Sequence, residues 1–435
     1  KIIIIIMKKI LQFKLKILAG LILKKYQPEV VGVTGSVGKT TTKEAIFAVL
    51  SSKFSVRSPF RNYNNEIGVP LTIIGTDSPG SNIFGWLKVF LFAWRLIIWR
   101  DKNYPKIIIL ELGIDRPGDM LYLTKLAKPS VGVVTTVSHS HLEFFGSLEK
   151  IKKEKQGLIE AIPSKGLSVL CADSELVSEM ADASRAKVLT YGFGIHANLR
   201  AVDLRFNFEK GEEFLPGLSF KLEYNGSSVP VFLREAISDK AVLSALSAAA
   251  VATHFGFNLV ETAAALEHFN LPKGRLRVLR GLKQSSIIDD TYNASPDSTA
   301  AALEVVSKAI LPRNSSKIVI LGEMLELGPY TEEGHRLVGK KVFEAGVSQL
   351  ILVGERTHHI ANGAKELGFN EDNIFYFSHS KEAGEFAVQR ISKGDLILVK
   401  GSQGSRMEKA VQEIMAEPQR AGELLVRQDK EWENK

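Results

Sequence analysis

A glycine-rich stretch near the start of the chain has the residue types and spacing of a loop that binds nucleotide phosphates. The stretch runs Gly32-Val33-Thr34-Gly35-Ser36-Val37-Gly38-Lys39-Thr40-Thr41. Glycines let successive backbone N–H groups face the phosphates, and a helix that follows adds the partial positive charge of its N-terminus. We expect Lys39 to bridge the β- and γ-phosphates and the Thr40 hydroxyl to hold Mg²⁺. Val33 stands where the strict pattern has its first glycine, so the stretch is a variant of that pattern.

Two further side chains could complete a magnesium site beside this loop. Glu111 follows the apolar run 107–110, which predicts a buried strand whose carboxyl end faces the ligand side of a parallel sheet. Carboxylate oxygens suit Mg²⁺, although a glutamate in this position can also be only a capping or surface residue. His141 could hold a second ion through a neutral imidazole, although a single histidine is more often structural.

Other motifs follow the glycine-rich stretch in order along the chain. They are NNEIGVP at 64–70, ELG at 111–113, HLEFFGS at 141–147, DDTYNASP at 289–296, LGEMLELG at 321–328 and KGSQGSRME at 400–408. Together with the glycine-rich stretch they resemble the motifs of the Mur ligases, across residues 28–427. The resemblance is strongest to the branch of that family that adds D-alanyl-D-alanine to a peptidoglycan precursor.

The resemblance implies an ATP-dependent ligase that forms an amide bond. ATP phosphorylates a carboxylate, and the acyl phosphate then offers a good leaving group to the incoming amine, here that of D-alanyl-D-alanine. Such an enzyme must gather charged reactants and stabilise the charge that develops between them. The implied cofactors are ATP and two Mg²⁺ ions. The implied acceptor is a muropeptide precursor of the UDP-N-acetylmuramoyl-tripeptide type.

The resemblance also implies roles for individual residues. The implied catalytic side chains are Lys39, His141, Lys155 and Arg275. The implied metal ligands are Thr40, Glu111, His141 and Lys155. ATP is expected to contact Thr34, Gly35, Ser36, Val37, Gly38, Lys39, Thr40, Thr41, Asn65, Arg275, Asp290 and Asn293. D-Alanyl-D-alanine is expected to contact Glu326, Lys400, Ser402 and Arg406.

Lys155 matches a lysine that Mur ligases carry as a carbamate. The reaction with CO₂ turns an ammonium group, which cannot bind a cation, into an anionic oxygen donor. The alternative is that Lys155 belongs to a solvated basic helix face together with its neighbours Lys150, Lys152 and Lys153. For Asp290 and Asn293, the alternative to nucleotide binding is a turn rich in Asp and Asn after a strand.

Three places depart from the family pattern. Gly157 stands where a glutamate is common, and Gln403 stands where an arginine commonly follows Lys-Gly-Ser. The third place is a helix at which the family usually has a His-Asn pair and a later Asn, some of which face the nucleotide base. Those three positions are occupied here by Lys240, Ala241 and Ser244.

Regular alternation of short β-branched runs with helical stretches from Glu29 onward predicts an α/β fold. At 435 residues the chain is long enough for two or three domains. We expect a central phosphate-loop nucleotide-binding domain at 28–272, with a mixed or parallel sheet. A Rossmann-like domain is expected at 273–435, and in both sheets the motifs would lie at the carboxyl ends of the strands.

Two basic, apolar segments are predicted outside this pattern, at residues 1–27 and in a Trp-rich insertion at 81–104. Neither has the roughly 20 uninterrupted apolar residues that a membrane-spanning helix needs. Each could lie on a membrane surface, because aromatic and basic residues suit a lipid interface, or could pack on its own domain. The net charge of +8 does not by itself choose between nucleic acid, anionic membrane and phosphorylated small molecules.

The cellular setting is predicted from the cysteine count and from the resemblance. The single cysteine, Cys171, excludes an intramolecular disulfide and fits a reducing cytoplasm. We expect a cytoplasmic monomer with no nucleic-acid partner, and peripheral contact with the inner face of the membrane is a further hypothesis.

A uridine-binding domain of about 100 residues usually precedes the phosphate loop in this branch, and we expect it to be missing because the loop here starts at residue 32. That domain could have been truncated, or the acceptor could be bound by the central domain. Two other functions stay open. One is a Mur-like ligase for a different acid and amine, such as folate or an amino-acid polymer. The other is a nucleotide-binding scaffold without ligase activity.

Overall fold

The structure is a computed structural model, which describes residues 2–59, 63–138, 145–207, 217–428 and 432. The chain divides into two compact units. The first comprises residues 1–205, 218–234 and 239–270, and the second comprises 206–217, 235–238 and 271–435. Each unit is built around its own sheet. The predicted α/β fold is confirmed, whereas the predicted domain limits stay predictions.

In the first unit, the described strands form one nine-stranded sheet. Its strands are β1 (Glu29–Thr34), β2 (Val56–Arg57), β3 (Ile107–Glu111), β4 (Val131–Val134), β5 (Leu167–Cys171), β6 (Lys187–Gly192), β7 (Leu199–Asn207), β8 (Gly217–Tyr224) and β9 (Ser227–Arg234). Their order is β2-β3-β1-β4-β5-β6-β7-β8-β9, and the pairings from β2 through β7 are parallel. The central strands β3, β4 and β5 are buried at every residue, as expected for parallel strands covered on both faces.

Helices cover this first sheet. They are α1 (Ile2–Tyr26), α2 (Lys39–Ser51), α3 (Gly68–Ile74), α4 (Ile83–Ile98), α5 (Asp119–Ala127), α6 (Leu148–Ala161), α7 (Glu175–Ser178), α8 (Asp239–His254) and α9 (Leu259–Leu266). The Ala-rich α8 packs against α2, the helix that begins at the phosphate loop. Small side chains on α8 allow this close approach, which fixes the direction of α2.

The two basic, apolar segments form α1 and α4, and each helix packs one face on the first unit. The buried residues are Leu15, Leu18, Ala19 and Ile22 of α1, and Val89, Ala93 and Leu96 of α4, all in one hydrophobic cluster. The ammonium group of Lys25 joins the two helices by donating to the carbonyl oxygens of Leu96 (3.0 Å) and Ile97 (2.9 Å). Within the described residues, no helix is both long and apolar enough to span a bilayer.

The second unit has a sheet of six described strands in the order β10-β11-β15-β12-β13-β14, in which β10 pairs antiparallel and the others pair in parallel. The strands are β10 (Arg277–Arg280), β11 (Ser286–Asp290), β12 (Lys317–Gly322), β13 (Gln349–Val353), β14 (Ile374–Phe377) and β15 (Leu396–Lys400). The helices are α10 (Pro296–Lys308), α11 (Thr331–Glu344), α12 (His358–Glu366), α13 (Ser380–Arg390), α14 (Glu408–Ile414) and α15 (Ala421–Leu424).

Alternation along these strands produces a core on each face of the second sheet. In β12, Val319 and Leu321 belong to one hydrophobic cluster, whereas Ile318 and Ile320 belong to the other. This is the two-residue period of a strand with both faces buried. The loops after the adjacent strands β11, β15 and β12 therefore emerge together at the carboxyl edge of the sheet.

Candidate functional site

The phosphate loop lies between β1 and α2, as the sequence predicts. Gly35 and Gly38 have φ values of 147° and 88°, in the region that favours glycine. A Cβ on Gly35 would lie 1.9 Å from the hydroxyl oxygen of Thr135, so a larger residue cannot keep this backbone path. Lys39 folds back over the loop, and its Nζ donates to the carbonyl oxygens of Gly35 (2.7 Å) and Ser36 (3.3 Å).

Residues just after β4 fasten the loop. The Thr135 hydroxyl donates to the carbonyl oxygen of Val37 at 2.6 Å. The carbonyl oxygen of Thr136 accepts a hydrogen bond from the Ser36 N–H at 2.8 Å, and the Thr136 hydroxyl accepts one from the Val37 N–H at 3.1 Å. These contacts fix the curl of the loop.

A hydroxyl and a carboxylate meet beside the loop. Thr40 Oγ1 donates to Glu111 Oε2 at 2.9 Å, and the amide of Asn64 donates to Glu111 Oε1 at 3.4 Å. Glu111 is buried, and these two partners are neutral. Burying a carboxylate is costly unless a cation or strong donors compensate. Oxygen ligands of this kind fit Mg²⁺, so Thr40 and Glu111 fit the predicted role.

In the part of the chain that the structure describes, no group of three His, Cys, Asp or Glu side chains is placed to hold a metal ion. The fit for Mg²⁺ therefore depends on Thr40, Glu111 and the phosphate oxygens that a nucleotide would bring. His141, the predicted ligand of a second ion, lies outside the described residues.

Lys155 lies on α6 and is buried, with 2% of its surface exposed. Burial lowers the pKa of its amine well below the ordinary value, and the positive charge of Lys39 lowers the pKa further, while Glu154 opposes both. The solvated-face alternative is wrong for this side chain. A neutral amine is the form that reacts with CO₂, so the environment fits the predicted carbamate.

Other predicted nucleotide contacts of the first unit have structural partners. The Thr34 hydroxyl donates to the carbonyl oxygen of Leu112 at 2.8 Å, which ties β1 to the end of β3. Asn65 Oδ1 accepts the N–H groups of Ile67 (3.2 Å) and Gly68 (3.0 Å) at the start of α3. Thr41 lies in the first turn of α2. Their nucleotide contacts stay predictions.

Ser244, at one of the positions that depart from the family pattern, is buried between α2 and α8. Its hydroxyl accepts from the Thr42 hydroxyl at 3.2 Å and donates to the carbonyl oxygen of Lys240 at 2.9 Å. It therefore joins the two helices that direct the phosphate loop.

In the second unit, the register of the sheet brings two predicted site residues together. Asp290 of β11 and Lys400 of β15 are partners in the parallel pairing. Lys400 Nζ donates to Asp290 Oδ2 at 2.6 Å and to the carbonyl oxygen of Asn293 at 2.8 Å. Burial lowers the pKa of Lys400, while Asp290 opposes that shift. Asp290 was predicted to contact ATP and Lys400 was predicted to contact D-alanyl-D-alanine. In the structure the two side chains instead form a buried ion pair with each other.

The neighbouring carboxylate, Asp289, holds the turn that carries Arg275. It is fully buried, and it accepts from the Gly274 N–H at 3.2 Å and from the N–H (3.2 Å) and hydroxyl (2.6 Å) of Thr291. Burial raises the pKa of Asp289 to about 6. The guanidinium of Arg275 stacks over the Tyr292 ring at 3.9 Å. Its buried Nε has no hydrogen-bond partner among the described residues.

The predicted dipeptide contacts lie on the loops after β12 and β15. The Ser402 hydroxyl accepts from the Leu325 N–H at 2.9 Å and donates to the carbonyl oxygen of Ala294 at 3.3 Å, which links three loops. Glu326 is exposed, with a φ of 64°. Arg406 Nε donates to Glu408 Oε1 at 2.6 Å.

Known proteins match this chain along most of its length. A family model described as "Mur ligase middle domain" matches residues 33–83 and 97–232, and one described as "Mur ligase, glutamate ligase domain" matches 274–403. A Bacillus subtilis relative, UDP-N-acetylmuramoyl-tripeptide--D-alanyl-D-alanine ligase, is 30% identical over 401 residues, covering 92% of this chain and 79% of the relative. The chain belongs to the Mur ligase family.

Solved structures give the same fold for this Mur ligase. MurF from Acinetobacter baumannii superposes with a TM-score of 0.75 at 24% identity, covering 92% of this chain and 79% of that one. MurF from Thermotoga maritima, solved in complex with ADP, gives 0.73 at 25% identity, covering 92% and 83%. A folylpolyglutamate synthase from Thermotoga maritima gives 0.60 at 13% identity, covering 91% and 92%, which is a likeness of fold alone.

Several residues that position the site of this Mur ligase were not predicted from the sequence. Arg427 donates to the carbonyl oxygens of Thr291 and Tyr292 and, at 2.8 Å, to Glu408. Glu408 is fully buried between Arg406 and Arg427. Glu408 is the last residue of the motif at 400–408, whereas Arg427 belongs to none of the motifs. The contact between the two residues is therefore visible only in the folded chain. Asp289 and the pair Thr135 and Thr136 had a usable signal, because Asp289 lies in the last part of the apolar strand β11 and the two threonines directly follow the apolar strand β4.

Proposed function

We propose that this Mur ligase uses ATP to add D-alanyl-D-alanine to a UDP-N-acetylmuramoyl-tripeptide-type precursor of peptidoglycan. The observation that carries the proposal is the 30% identity over 401 residues to the Bacillus subtilis ligase of that name. The γ-phosphoryl group of ATP passes to the terminal carboxylate of the precursor. The amine of the dipeptide then attacks the carbonyl carbon, the amide bond forms, and inorganic phosphate leaves.

The first unit supplies the phosphate end of this reaction. Amide groups of the curled loop, Lys39 and the N-terminus of α2 hold the phosphates and offset their charge as it shifts during transfer. Thr40 and Glu111 would hold Mg²⁺, which supplies charge neutralisation on the phosphate oxygens when bound. A second ion, with His141 as a ligand, belongs to the same proposal.

Lys155 is proposed to carry a carbamate in this Mur ligase. The burial and the nearby charge of Lys39 that lower the pKa of the amine support this proposal. Once formed, the carbamate is an anion beside a cationic lysine, and its oxygens are suitable donors to a second Mg²⁺. The positive charge of Lys39, which disfavours an ammonium group at Lys155, would favour the anionic carbamate there.

The second unit is proposed to hold the nucleotide with Arg275, Asp290 and Asn293, and the dipeptide with Glu326, Ser402 and Arg406. The guanidinium of Arg275 stacks on the Tyr292 ring, which orients its plane. A planar guanidinium can bind a phosphate through two parallel hydrogen bonds. Lys400 was predicted to touch the dipeptide. Because it is buried against Asp290 and Asn293, we propose instead that it positions the nucleotide loop.

As to its setting, we propose that the ligase acts as a cytoplasmic monomer in peripheral contact with the inner face of the membrane. The exposed apolar sides of α1 and α4 support the membrane contact.

The experiment that tests the proposed reaction is phosphate release from ATP by the purified chain, with a panel of muropeptide precursors and of amines. We expect release to require both a tripeptide precursor and D-alanyl-D-alanine. Release that ignores the dipeptide but responds to another amine would overturn the substrate assignment.

The Lys39→Ala variant is expected to lose on the order of a hundredfold in kcat, because one preorganised charge donor to the phosphates is removed. The exposed Lys125→Ala serves as the matched control and should retain full activity. An active Lys39→Ala enzyme would contradict the role of the loop lysine.

A further inference from the structure

Two adjacent helices of the first unit expose rows of large apolar side chains. On α1 the exposed residues are Ile10, Phe13, Ile17 and Leu21, and on α4 they are Ile83, Phe84, Leu87, Leu91, Trp94 and Ile98, followed by Trp99. We call these residues the α1/α4 apolar surface. Exposed fractions range from 40% for Leu21 to 78% for Ile83. An exposed apolar area of this kind marks a site of interaction.

The helical period shows that these rows are organised faces. On α1, residues 10, 13, 17 and 21 recur every three or four positions, opposite the buried row that includes Leu15, Ala19 and Ile22. On α4 the exposed apolar arc is bordered by Lys88 and Arg95, whereas Val89, Ala93 and Leu96 face the core. Each helix is therefore apolar on two sides, of which the protein covers only one.

Charge distinguishes a lipid partner from an ordinary protein partner. Helices α1 and α4 contain eight of the 56 lysines and arginines of the chain and none of its 48 acidic residues. They therefore account for the whole net charge of +8, and the rest of the chain is formally neutral. Apolar rows beside lysine and arginine, with tryptophan among them, match the layered chemistry of an anionic bilayer surface.

Most of the α1/α4 apolar surface lies outside the residues that the two family models match. The family models match residues 33–83, 97–232 and 274–403, so α1 and residues 84–96 of α4 are not matched.

We propose that the α1/α4 apolar surface docks the enzyme on an anionic lipid bilayer, with both helices lying in the plane of the interface. The inference rests on the peripheral contact proposed above and names the surface and the lipid chemistry for it. Apolar side chains enter the boundary between headgroups and acyl chains, while lysines and arginines remain at the level of the headgroups. Vesicle binding is measured without turnover, so its failure and the failure of the ligase proposal are distinguishable.

The first test is co-sedimentation of the full chain with vesicles. We expect binding to vesicles of phosphatidylglycerol and phosphatidylcholine, much weaker binding to phosphatidylcholine alone, and a decrease as salt screens the headgroup charge. Protein that stays in the supernatant with both kinds of vesicle would overturn the proposal. Equal binding to both would also overturn the anionic-lipid assignment.

Matched variants then locate the surface. The triple substitution Ile17→Ser, Leu87→Ser and Leu91→Ser should lower the partition coefficient about tenfold or more, because buried apolar area drives interfacial binding. The control triple Ile195→Ser, Val260→Ser and Ile310→Ser removes three exposed apolar side chains elsewhere. It should bind vesicles as the wild type does, and an equal loss in both triples would overturn the location.

The charge component has its own pair of variants. The triple Lys9→Gln, Lys14→Gln and Lys88→Gln should weaken binding to anionic vesicles and reduce its dependence on salt. The control triple Lys125→Gln, Lys165→Gln and Lys187→Gln changes the net charge equally at exposed sites elsewhere. Mg-ATP binding by each variant verifies that the first unit is folded. A concentration-dependent dimer that the apolar triple abolishes, without vesicle binding, would identify a second copy as the occupant and overturn the proposal.

Discussion

At the scale of single residues, burial gives the lysine on α6 an unusual chemistry. An exposed lysine is almost entirely protonated near neutral pH, and its ammonium group does not react with CO₂. Burial and the charge of Lys39 lower the pKa of Lys155 well below the ordinary value of a lysine, which favours the neutral amine. The proposed reactivity of Lys155 with CO₂ therefore depends on its buried environment and not on the residue type alone.

This difference leads to a prediction about Lys155. With ¹³C-labelled bicarbonate, the wild-type protein should show a carbamate carbon resonance, because the neutral amine captures CO₂. The resonance should disappear in Lys155→Met. It should persist in Lys153→Met, which removes an exposed lysine from the same helix. A wild-type spectrum without the resonance would contradict the proposed modification.

Asp289 predicts a pH dependence of stability in the second unit. Its pKa rises from an ordinary value of 3.8 to about 6. Between these two pH values the folded protein keeps the Asp289 proton, whereas the unfolded chain releases it. The free energy of unfolding therefore falls as the pH rises from about 4 to about 6. Above about pH 6 this contribution stays constant. Because the pKa values of the folded and unfolded states differ by about two units, the free energy of unfolding should fall by about 3 kcal/mol over this range.

The test measures urea unfolding across pH 4 to 7 with the variant Asp289→Asn. Because an amide does not titrate, the variant should lose this part of the pH dependence, while the exposed Asp372→Asn should keep it. An unchanged pH profile in Asp289→Asn would show that another group titrates there.

At the scale of elements, Arg427 holds the loop after β11, which is proposed to bind the nucleotide. Arg427 contacts two carbonyl oxygens of the loop after β11, and it is itself held by Glu408 at the start of α14. A guanidinium can donate in several directions within one plane, which an ammonium group cannot reproduce. Arg427 is thus a positioning residue for the segment that carries Tyr292 and Asn293.

We therefore expect Arg427→Lys to raise the KM for ATP about tenfold, while kcat changes less, because the loop loses its fixed path. The matched control is Arg420→Lys, whose side chain makes exposed ion pairs with Glu417 and Glu423. If KM is unchanged and only the yield of folded protein falls, Arg427 has a purely structural role.

The elements also show what the sequence could and could not predict. The phosphate loop was predictable because a strand, a glycine turn and a helix are consecutive, and Glu111 because it ends a buried strand. The pair of Asp290 and Lys400 was not, since the two residues are neighbours only through the register of β11 and β15. Arg427 was missed for the same reason. Contacts that depend on strand order or on a distant segment leave no local pattern.

The paired helices α1 and α4 show a further limit of prediction from sequence. Their composition fits both a membrane surface and packing on the protein. The structure shows that each helix uses one face for packing and leaves the other exposed. The two alternatives were therefore compatible, because a helix that is apolar on two sides can pack one side on the protein and leave the other side exposed.

At the scale of the whole molecule, the two units have separate hydrophobic cores. Among the described residues, a large cluster belongs to the first unit, and each face of the second sheet has its own cluster. Proteins with independent cores commonly depart from two-state unfolding. Scanning calorimetry of the full chain should therefore resolve two transitions.

Equivalent substitutions in the two cores assign the transitions. Leu71→Ala on α3 and Leu352→Ala in β13 each remove a fully buried leucine, which costs about 2 to 5 kcal/mol through lost burial and a residual cavity. Each variant should lower the midpoint of one transition, and a different one in each case, because the cavity weakens only the core that contains it. If both variants lower the midpoint of the same transition by the same amount, the two units unfold together as one cooperative body. The separate cores would then not produce separate unfolding transitions.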